Sequence, residues 1–383
     1  MDIIENEPKE MELSEEAKTD QDENDSMEIE ELRETLEEEI KNSSCVFITG
    51  HTEPDFDSIG SCLGLQLIAS HLGKEAYIIV DDNPITIEPG SKVLIDASRE
   101  SSHIITKEEF KQLQRPNSLL IVTDTNKYYK VSVSDHLYEF RSVIVIDHHE
   151  KDEATIPTPY LFIKENSSSC SEIVTQLLEQ MGIDCSPEIA NALFAGISLD
   201  TKRFFRSGKK THGIAQHLKD HNATEEYIKD LFLEDFVTGK RIAKLVFDYV
   251  IFKEYGDPMS PIVVAFTQDR DNPYQIYHKE DLAKAADDLI GFRGIDASFS
   301  LGFLEEGRVH MSARGSEKVN VVEIVTKLPG QLGGKRLSAG GSVFTNDIQK
   351  VEQDLIHVCD EQFETGIHTD IHKQKVYTNQ EKS

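Results

Sequence analysis

At 383 residues, 38% of them hydrophobic, with 22 Gly and 12 Pro, the chain is long enough for two domains with cores of their own and is not disordered as a whole. Its formal net charge of −30 argues against a protein that holds long nucleic acid through phosphate contacts, which needs a basic surface. No run reaches the roughly 18 apolar residues of a membrane span, and the opening residues are acidic, the opposite of a presequence. No membrane partner and a cytoplasmic location are therefore expected.

The charge is uneven along the chain. Up to Lys41 there are 18 acidic and 4 basic residues, so close to half of the net charge falls there. Residues 1–27 show no sustained apolar period and are expected to form a disordered acidic tail, either a solubilising leader or an arm for a partner. Ile29, Leu32, Leu36 and Ile40 then recur at three- and four-residue spacing and predict a short amphipathic helix. Next come four short runs rich in β-branched residues, Cys45–Thr49, Ala76–Asp82, Ser118–Asp124 and Ser142–Asp147, with helical patterns between several of them. Such alternation predicts an α/β domain with a largely parallel sheet covered on both faces.

Helical patterns dominate from Ser168 to about Val250, closing a first domain over residues 28–252. The Gly- and Pro-containing stretch at 253–261 is expected to be the linker. Residues 262–366 predict a smaller α+β domain with at least one hairpin, and 367–383 a polar, frayed tail. Cys45, Cys62, Cys170, Cys185 and Cys359 have no paired metal-ligand or redox spacing and read as buried thiols of a reducing compartment.

Ligands of an open parallel sheet bind at the carboxyl ends of its strands, and acidic and His residues fall at those ends repeatedly. His51, Asp55 and Asp57 follow the first strand, Asp124 ends the third, and Asp147, His148 and His149 end the fourth; Asp200 closes an apolar helical segment that could reach the same edge. One of Asp57 or Ser58 is explained as a helix N-cap, which leaves a His and a second Asp unaccounted for. Carboxylates gathered at one edge repel one another and pay a heavy desolvation cost without a cation. Mixed oxygen and imidazole donors without thiolates fit Mn²⁺ better than Ca²⁺, Mg²⁺ or structural Zn²⁺. Two such ions sharing a carboxylate are a standard device for phosphate-ester hydrolysis.

The stretches "GHTEPDFDSIGS", "VTDTN", "VIDHH" and "GISLDTKRF", in that order, resemble the four motifs of the DHH phosphoesterase superfamily. The later "ASFSLGF", "VHMSARGSEKVNV" and "LGGKRLSAGG" resemble the DHHA1 domain that follows in one branch. The likeness runs from about Ser43 to Ile348, and "GKEAYIIVDD", "SSSCSEIV" and "DTKRFFRSGKKTHGIA" are most similar to the catalytic region of GdpP-type cyclic-di-AMP phosphodiesterases. The membrane helices and sensory domains usual in that type are absent from this sequence.

The resemblance implies one Mn²⁺ held by His51, Asp55 and Asp124 and a second held by Asp57, Asp124, His148 and Asp200, with Mg²⁺ or Co²⁺ as substitutes. Asp124 would bridge the two. His149 would face the substrate phosphate or leaving oxygen, and Asp147 would orient an imidazole by accepting its N–H. Ser312 and Arg314 match positions that grip the far phosphate or nucleotide. Relatives usually carry Gly-Gly-Gly-His where this chain has Leu332, Gly333, Gly334 and Lys335, and a Lys cannot reproduce a directional imidazole hydrogen bond.

The leading expectation is a phosphodiesterase that cuts a cyclic dinucleotide, cyclic di-AMP first, to a linear one. Hydrolysis of linear dinucleotides or short RNA to mononucleotides is the nearest alternative, and a catalytically silent nucleotide-binding protein is the alternative from another class. Its partner is then a small nucleotide, and a homodimer is compatible with the reading.

Overall fold

The computed structural model describes residues 15–81, 87, 89–233 and 235–363, with side chains from residue 26 onward. It divides into two compact units, Met1–Leu233 and Glu234–Ser383, each with its own six-stranded sheet.

The first unit begins with α1 (Glu15–Asn42), which starts well before the helix expected from Ile29 onward. Residues 15–27 of the expected disordered tail are therefore helical, while residues 1–14 lie outside those described. The apolar stripe is as the spacing predicts, with Ile29, Leu32, Leu36 and Ile40 all buried. Each such side chain contributes about 1.5–3 kcal/mol by leaving water. On the same helix Glu39 is buried and accepts from Arg141 Nη1 at 2.7 Å, Ser142 Oγ at 2.5 Å and Tyr160 Oη at 3.1 Å.

Then follow β1 (Val46–Thr49), α2 (Phe56–His71), β2 (Ala76–Ile79), α3 (Pro89–Ser98), β3 (Ile104–Ile105), α4 (Lys107–Leu113), β4 (Leu119–Thr123), β5 (Ser142–Asp147) and β6 (Tyr160–Ile163). The sheet order is β3-β2-β1-β4-β5-β6 and every pairing is parallel. Its central strands are buried on both faces, as near-continuous Val, Ile and Leu runs require. The chain order reverses between β1 and β4, which makes their carboxyl ends the switch point where a crevice opens. The helices α5 (Cys170–Met181), α6 (Pro187–Asp200), α7 (Lys209–Asp220) and α8 (Glu225–Leu231) complete the unit.

The second unit contains α9 (Phe236–Ala243), β7 (Ile251–Tyr255), β8 (Ile262–Thr267), α10 (Lys279–Ile290), β9 (Ala297–Glu305), β10 (Arg308–Gly315), α11 (Val321–Val325), β11 (Gln331–Lys335), β12 (Ser338–Phe344) and α12 (Ile348–Gln362). Its sheet order is β11-β12-β10-β9-β8-β7, antiparallel except between β8 and β9. The α+β character and the β9–β10 hairpin agree with the sequence reading, but the linker does not. Residues 253–261 are the end of β7, a turn and the approach to β8, and β7 pairs directly with β8. Gly and Pro mark hairpin turns as strongly as they mark linkers, and the division between units falls after Leu233 instead. The polar stretch at 367–383 lies outside the described residues.

Candidate metal centre

Leaving β1, the chain makes a tight turn into α2, and Asp55 is the N-cap of that helix. Its Oδ1 accepts the backbone N–H groups of Asp57 and Ser58, both at 3.0 Å. The capping role expected of Asp57 or Ser58 thus belongs to Asp55, which satisfies donors that a helix start leaves unpaired. Capping uses only one of its oxygens; the other, Oδ2, lies 3.6 Å from His51 Nε2.

Asp57, one residue inside the helix, is fully buried. Its Oδ2 accepts from Cys170 N and its Oδ1 from Ser171 N, each at 2.7 Å. These are amides at the start of α5, whose unpaired N–H groups and dipole favour an anion. Gly196 on α6 makes room for this pairing: a Cβ there would lie 2.3 Å from Ser171 Oγ and 2.8 Å from Asp57 Cα.

Asp124 follows β4 with φ at +59°, a left-handed conformation that costs a non-glycine residue about 1 kcal/mol or more and gathers at functional sites. It is buried, with Oδ2 at 3.3 Å from His51 Nε2 and Oδ1 at 3.7 Å from His148 Nε2. His148 Nε2 is also 3.2 Å from Asp200 Oδ2 at the end of α6. That nitrogen is buried yet has no hydrogen bond of acceptable geometry.

Asp147 plays a different part. Its Oδ1 accepts from the backbone N–H of His148 and His149 and lies 2.8 Å from His149 Nδ1, while its Oδ2 accepts from Asn126 Nδ2 at 2.7 Å. Asn126 is fully buried and also donates to the carbonyl of His149 at 3.1 Å. It clamps the turn that carries both imidazoles. Sequence reasoning missed it, although it stands two residues after Asp124 in "VTDTN"; the amide donors of Cys170 and Ser171 were missed as well.

The electrostatics show how badly these carboxylates are placed without a cation. Burial, then the charges of Asp57 and Asp55, push Asp124 well above the usual carboxylate range. Burial raises Asp57 and raises Asp200 to about 7. Burial works against charging His148, but the nearby carboxylates of Asp200, Asp57 and Asp124 outweigh it and push the imidazole up to about 10. Asp147 stays below its ordinary value, because the His149 ring and backbone donors outweigh its burial.

Ligand atoms of His51, Asp55 and Asp124 lie within 4.8 Å of one another, and so do those of Asp57, His148 and Asp200. Asp124 also groups with Asp57 and Cys170 and with Asp147, His148 and His149, which places it between the two sets. The donors are carboxylates and imidazoles, and an orphaned buried His nitrogen points among them. The residues present fit a pair of divalent cations.

In the second unit, Ser312 and Arg314 on β10 share cross-strand rows with β11. Ser312 is opposite Gly340, which is opposite Gly333; Arg314 is opposite Ser338, which is opposite Lys335. All lie on one face, since opposed residues and residues two apart share it. Gly334 takes φ +139° where β11 crowds Ala339. Arg314 is already engaged: its Nε and Nη2 donate to the two oxygens of Asp287 at 3.0 and 3.1 Å.

Residues 45–197 match the DHH family, N-terminal domain, and residues 260–364 match the DHHA1 domain. The chain therefore carries a DHH domain followed by a DHHA1 domain. It is 31% identical over 346 residues to the cyclic-di-AMP phosphodiesterase GdpP of Bacillus subtilis (strain 168), an alignment covering 88% of this chain and 50% of that protein. The chain spans about half the length of the curated relatives it matches at that level. It is 25% identical over 315 residues to the bifunctional oligoribonuclease and PAP phosphatase NrnA of Mycoplasma pneumoniae, covering 81% of this chain and 91% of that one. Among solved structures, an exopolyphosphatase-related protein from Bacteroides fragilis superposes with a TM-score of 0.68 at 17% identity over 86% of this chain and 96% of that one. That likeness shows the fold. Among the described residues no helix is long and apolar enough to cross a membrane.

Proposed function

We propose that this DHH protein is a two-metal phosphodiesterase that hydrolyses a cyclic dinucleotide, with cyclic di-AMP the first candidate, to the linear dinucleotide. The observation that carries the reading is a pair of donor clusters, His51, Asp55 and Asp124 on one side and Asp57, His148 and Asp200 on the other, with Asp124 also grouping with Asp57 and with His148; in this reading Asp124 serves both cations. Mn²⁺ suits the mixed nitrogen and oxygen donors, with Mg²⁺ or Co²⁺ as substitutes. Bound there, the cations supply positive charge for phosphoryl oxygens and acidify water.

The remaining chemistry belongs to the chain. Asp147 accepts from His149 Nδ1 and so fixes the tautomer that leaves Nε2 free to hold or deliver a proton. Asn126 holds Asp147 in place from its other oxygen. The fixed charge of the α5 N-terminus keeps the Asp57 carboxylate oriented. In this reading Ser312, Arg314, Gly333, Gly334 and Lys335 contact the nucleotide.

Relatives named as cyclic-di-AMP phosphodiesterases support the substrate class. Hydrolysis of linear dinucleotides or very short RNA is the second reading, favoured by Lys335 at a position where relatives usually place His, and by the match to NrnA over most of its length. A silent nucleotide-binding role is disfavoured, because every carboxylate and imidazole of the two sets is present. The test is to incubate the purified chain with Mn²⁺ and, separately, cyclic di-AMP, cyclic di-GMP, linear diadenylate and a short RNA, and to resolve the products by chromatography. Cleavage of cyclic di-AMP to linear diadenylate is expected. Conversion of the linear substrates alone would transfer the assignment to the second reading, and no turnover of any would leave the silent one.

A further inference from the structure

A second concave site lies on the opposite side of α6 from the metal centre. Gly196 and Asp200 share the α6 face that meets Asp57 and His148, whereas Phe194 and Ser198, each two residues earlier and so about 200° around the helix, face away. On that far side α6, α7 and α8 line an open cavity of about 780 Å³. Three of its walls are aromatic: Phe194, Phe204 and Phe232. Its charged groups are mainly cationic, beside Ser198, Gln216 and His212, whose ring stacks on Phe204. Arg203 lies over the Phe232 ring, 5.1 Å from its centre, Lys219 lies 5.4 Å from the centre of Phe194, and Lys229 completes the set. Glu225, the one carboxylate of the lining among the described residues, pairs with Lys219 at 2.5 Å. Among the described residues no carboxylate pairs with the Arg203 guanidinium. On a chain of net charge −30, a cavity of positive sign with stacking surfaces is set apart from its surroundings.

We infer that this cavity binds a small planar anion of the mononucleotide class, the aromatic walls taking the base and Arg203, with Lys229, taking the phosphate. Stacking between rings and beside a guanidinium suits a base without selecting its edge, and a guanidinium offers paired donors to phosphate. The volume is that of a small-molecule pocket.

The cavity is joined to the metal centre by two walls. Arg203 and Phe204 belong to a run of three non-glycine residues in left-handed conformation, Lys202 at φ 50°, Arg203 at 57° and Phe204 at 67°, which begins two residues after Asp200. Phe232 packs edge-on against Phe56, with ring centres 5.0 Å apart, and Phe56 stands between Asp55 and Asp57. An occupant would therefore touch Arg203, three residues after Asp200, and Phe232, which packs on Phe56 between Asp55 and Asp57. The binding claim stands without any assumption about the reaction; only an effect on turnover rests on the phosphodiesterase reading.

The test is calorimetric titration of the full chain, in EDTA, with AMP, adenosine and inorganic phosphate as separate probes. Wild type and Asp124→Asn are expected to bind AMP alike, and more tightly than either fragment. Arg203→Gln should weaken AMP binding by at least about tenfold. Phe232→Leu, which keeps an apolar wall against Phe56, should weaken it by removing the stacking surface, with melting temperatures checked for both variants. Any change of AMP affinity in Asp124→Asn, or AMP binding that appears only when Mn²⁺ replaces EDTA, would place the nucleotide at the metal centre and overturn the proposal. So would full binding by both Arg203→Gln and Phe232→Leu, or no AMP binding by wild type, which would leave the groove as a surface for a protein segment.

Discussion

The carboxylate of Asp57 accepts the backbone N–H of Cys170 at 2.7 Å, although strands β2 to β6 lie between their two helices in the sequence. The neighbouring N–H of Ser171 is held by the other oxygen at the same distance, so this side chain ties α2 to α5. Asp57→Asn leaves one carbonyl oxygen for two donors and turns an amide N–H₂ toward a backbone N–H. The donor left unpaired costs about 1–3 kcal/mol, offset in part because burial already raises the Asp57 carboxyl, and a net loss is expected. Urea unfolding of the metal-free protein measures it; an unchanged midpoint would show that the pairing contributes nothing to the fold.

Asp124 predicts the opposite sign. It is buried beside Asp57 and Asp55 and held well above the usual carboxylate range, so its charge works against the metal-free fold at neutral pH. Asp124→Asn should raise the melting temperature of the metal-free protein and abolish the rise produced by Mn²⁺. Under the phosphodiesterase reading it should also abolish turnover. A scanning-calorimetry series with and without Mn²⁺ separates these effects, and a variant still stabilised by Mn²⁺ to the wild-type extent would remove Asp124 from between the two sets.

Most of the carboxylate and imidazole set was legible because a parallel sheet puts strand ends on one edge, and the sequence marks those ends by stopping Val, Ile and Leu runs at Thr49, Asp124 and Asp147. What could not be read was tertiary. Asp55 rather than Asp57 or Ser58 caps α2 because Asp57 is drawn to amides on α5, a pairing no local pattern reveals. Asn126 looks like an ordinary turn residue until Asp147 is seen against it. The early start of α1 was hidden because its first turns carry no apolar stripe, and the β7–β8 turn looked like a linker because both use Gly and Pro.

A pH dependence follows from Glu39. Burial alone would raise it, but the Ser142 hydroxyl and the Arg141 guanidinium outweigh that and hold it below the ordinary Glu value. A carboxyl with a depressed native pKa contributes stability that is complete above its unfolded value and is lost as pH falls through its folded value. Glu39→Gln is therefore expected to cost about 1–3 kcal/mol at pH 7, with the gap to wild type closing as the medium is made more acidic than the ordinary Glu range. Denaturant titrations at neutral and acidic pH check it; a gap that stays constant would mean that Glu39 acts by shape rather than charge.

The final prediction concerns the cross-strand row Arg314, Ser338, Lys335. Two strand spacings, about 10 Å, separate the outer two backbones, and their side chains leave the same face. Arg314 is held by both oxygens of Asp287, so a phosphate reaching it must compete with that carboxylate. If the pair reads the nucleotide as proposed, Asp287→Asn should lower KM by freeing the guanidinium, and Arg314→Ala should raise it. Lys335→Ala should reduce kcat/KM by about 1.5–3 kcal/mol, the range of a charge-assisted hydrogen bond. Because Lys335 supplies a flexible point charge, Lys335→His should shift the ratio of kcat/KM for cyclic and linear diadenylate more than it shifts either rate. Steady-state kinetics on both substrates across these four variants decide it. A ratio unmoved by any of them would show that this strand row does not select between the two, and that the choice is made by the residues around Asp124 and His149.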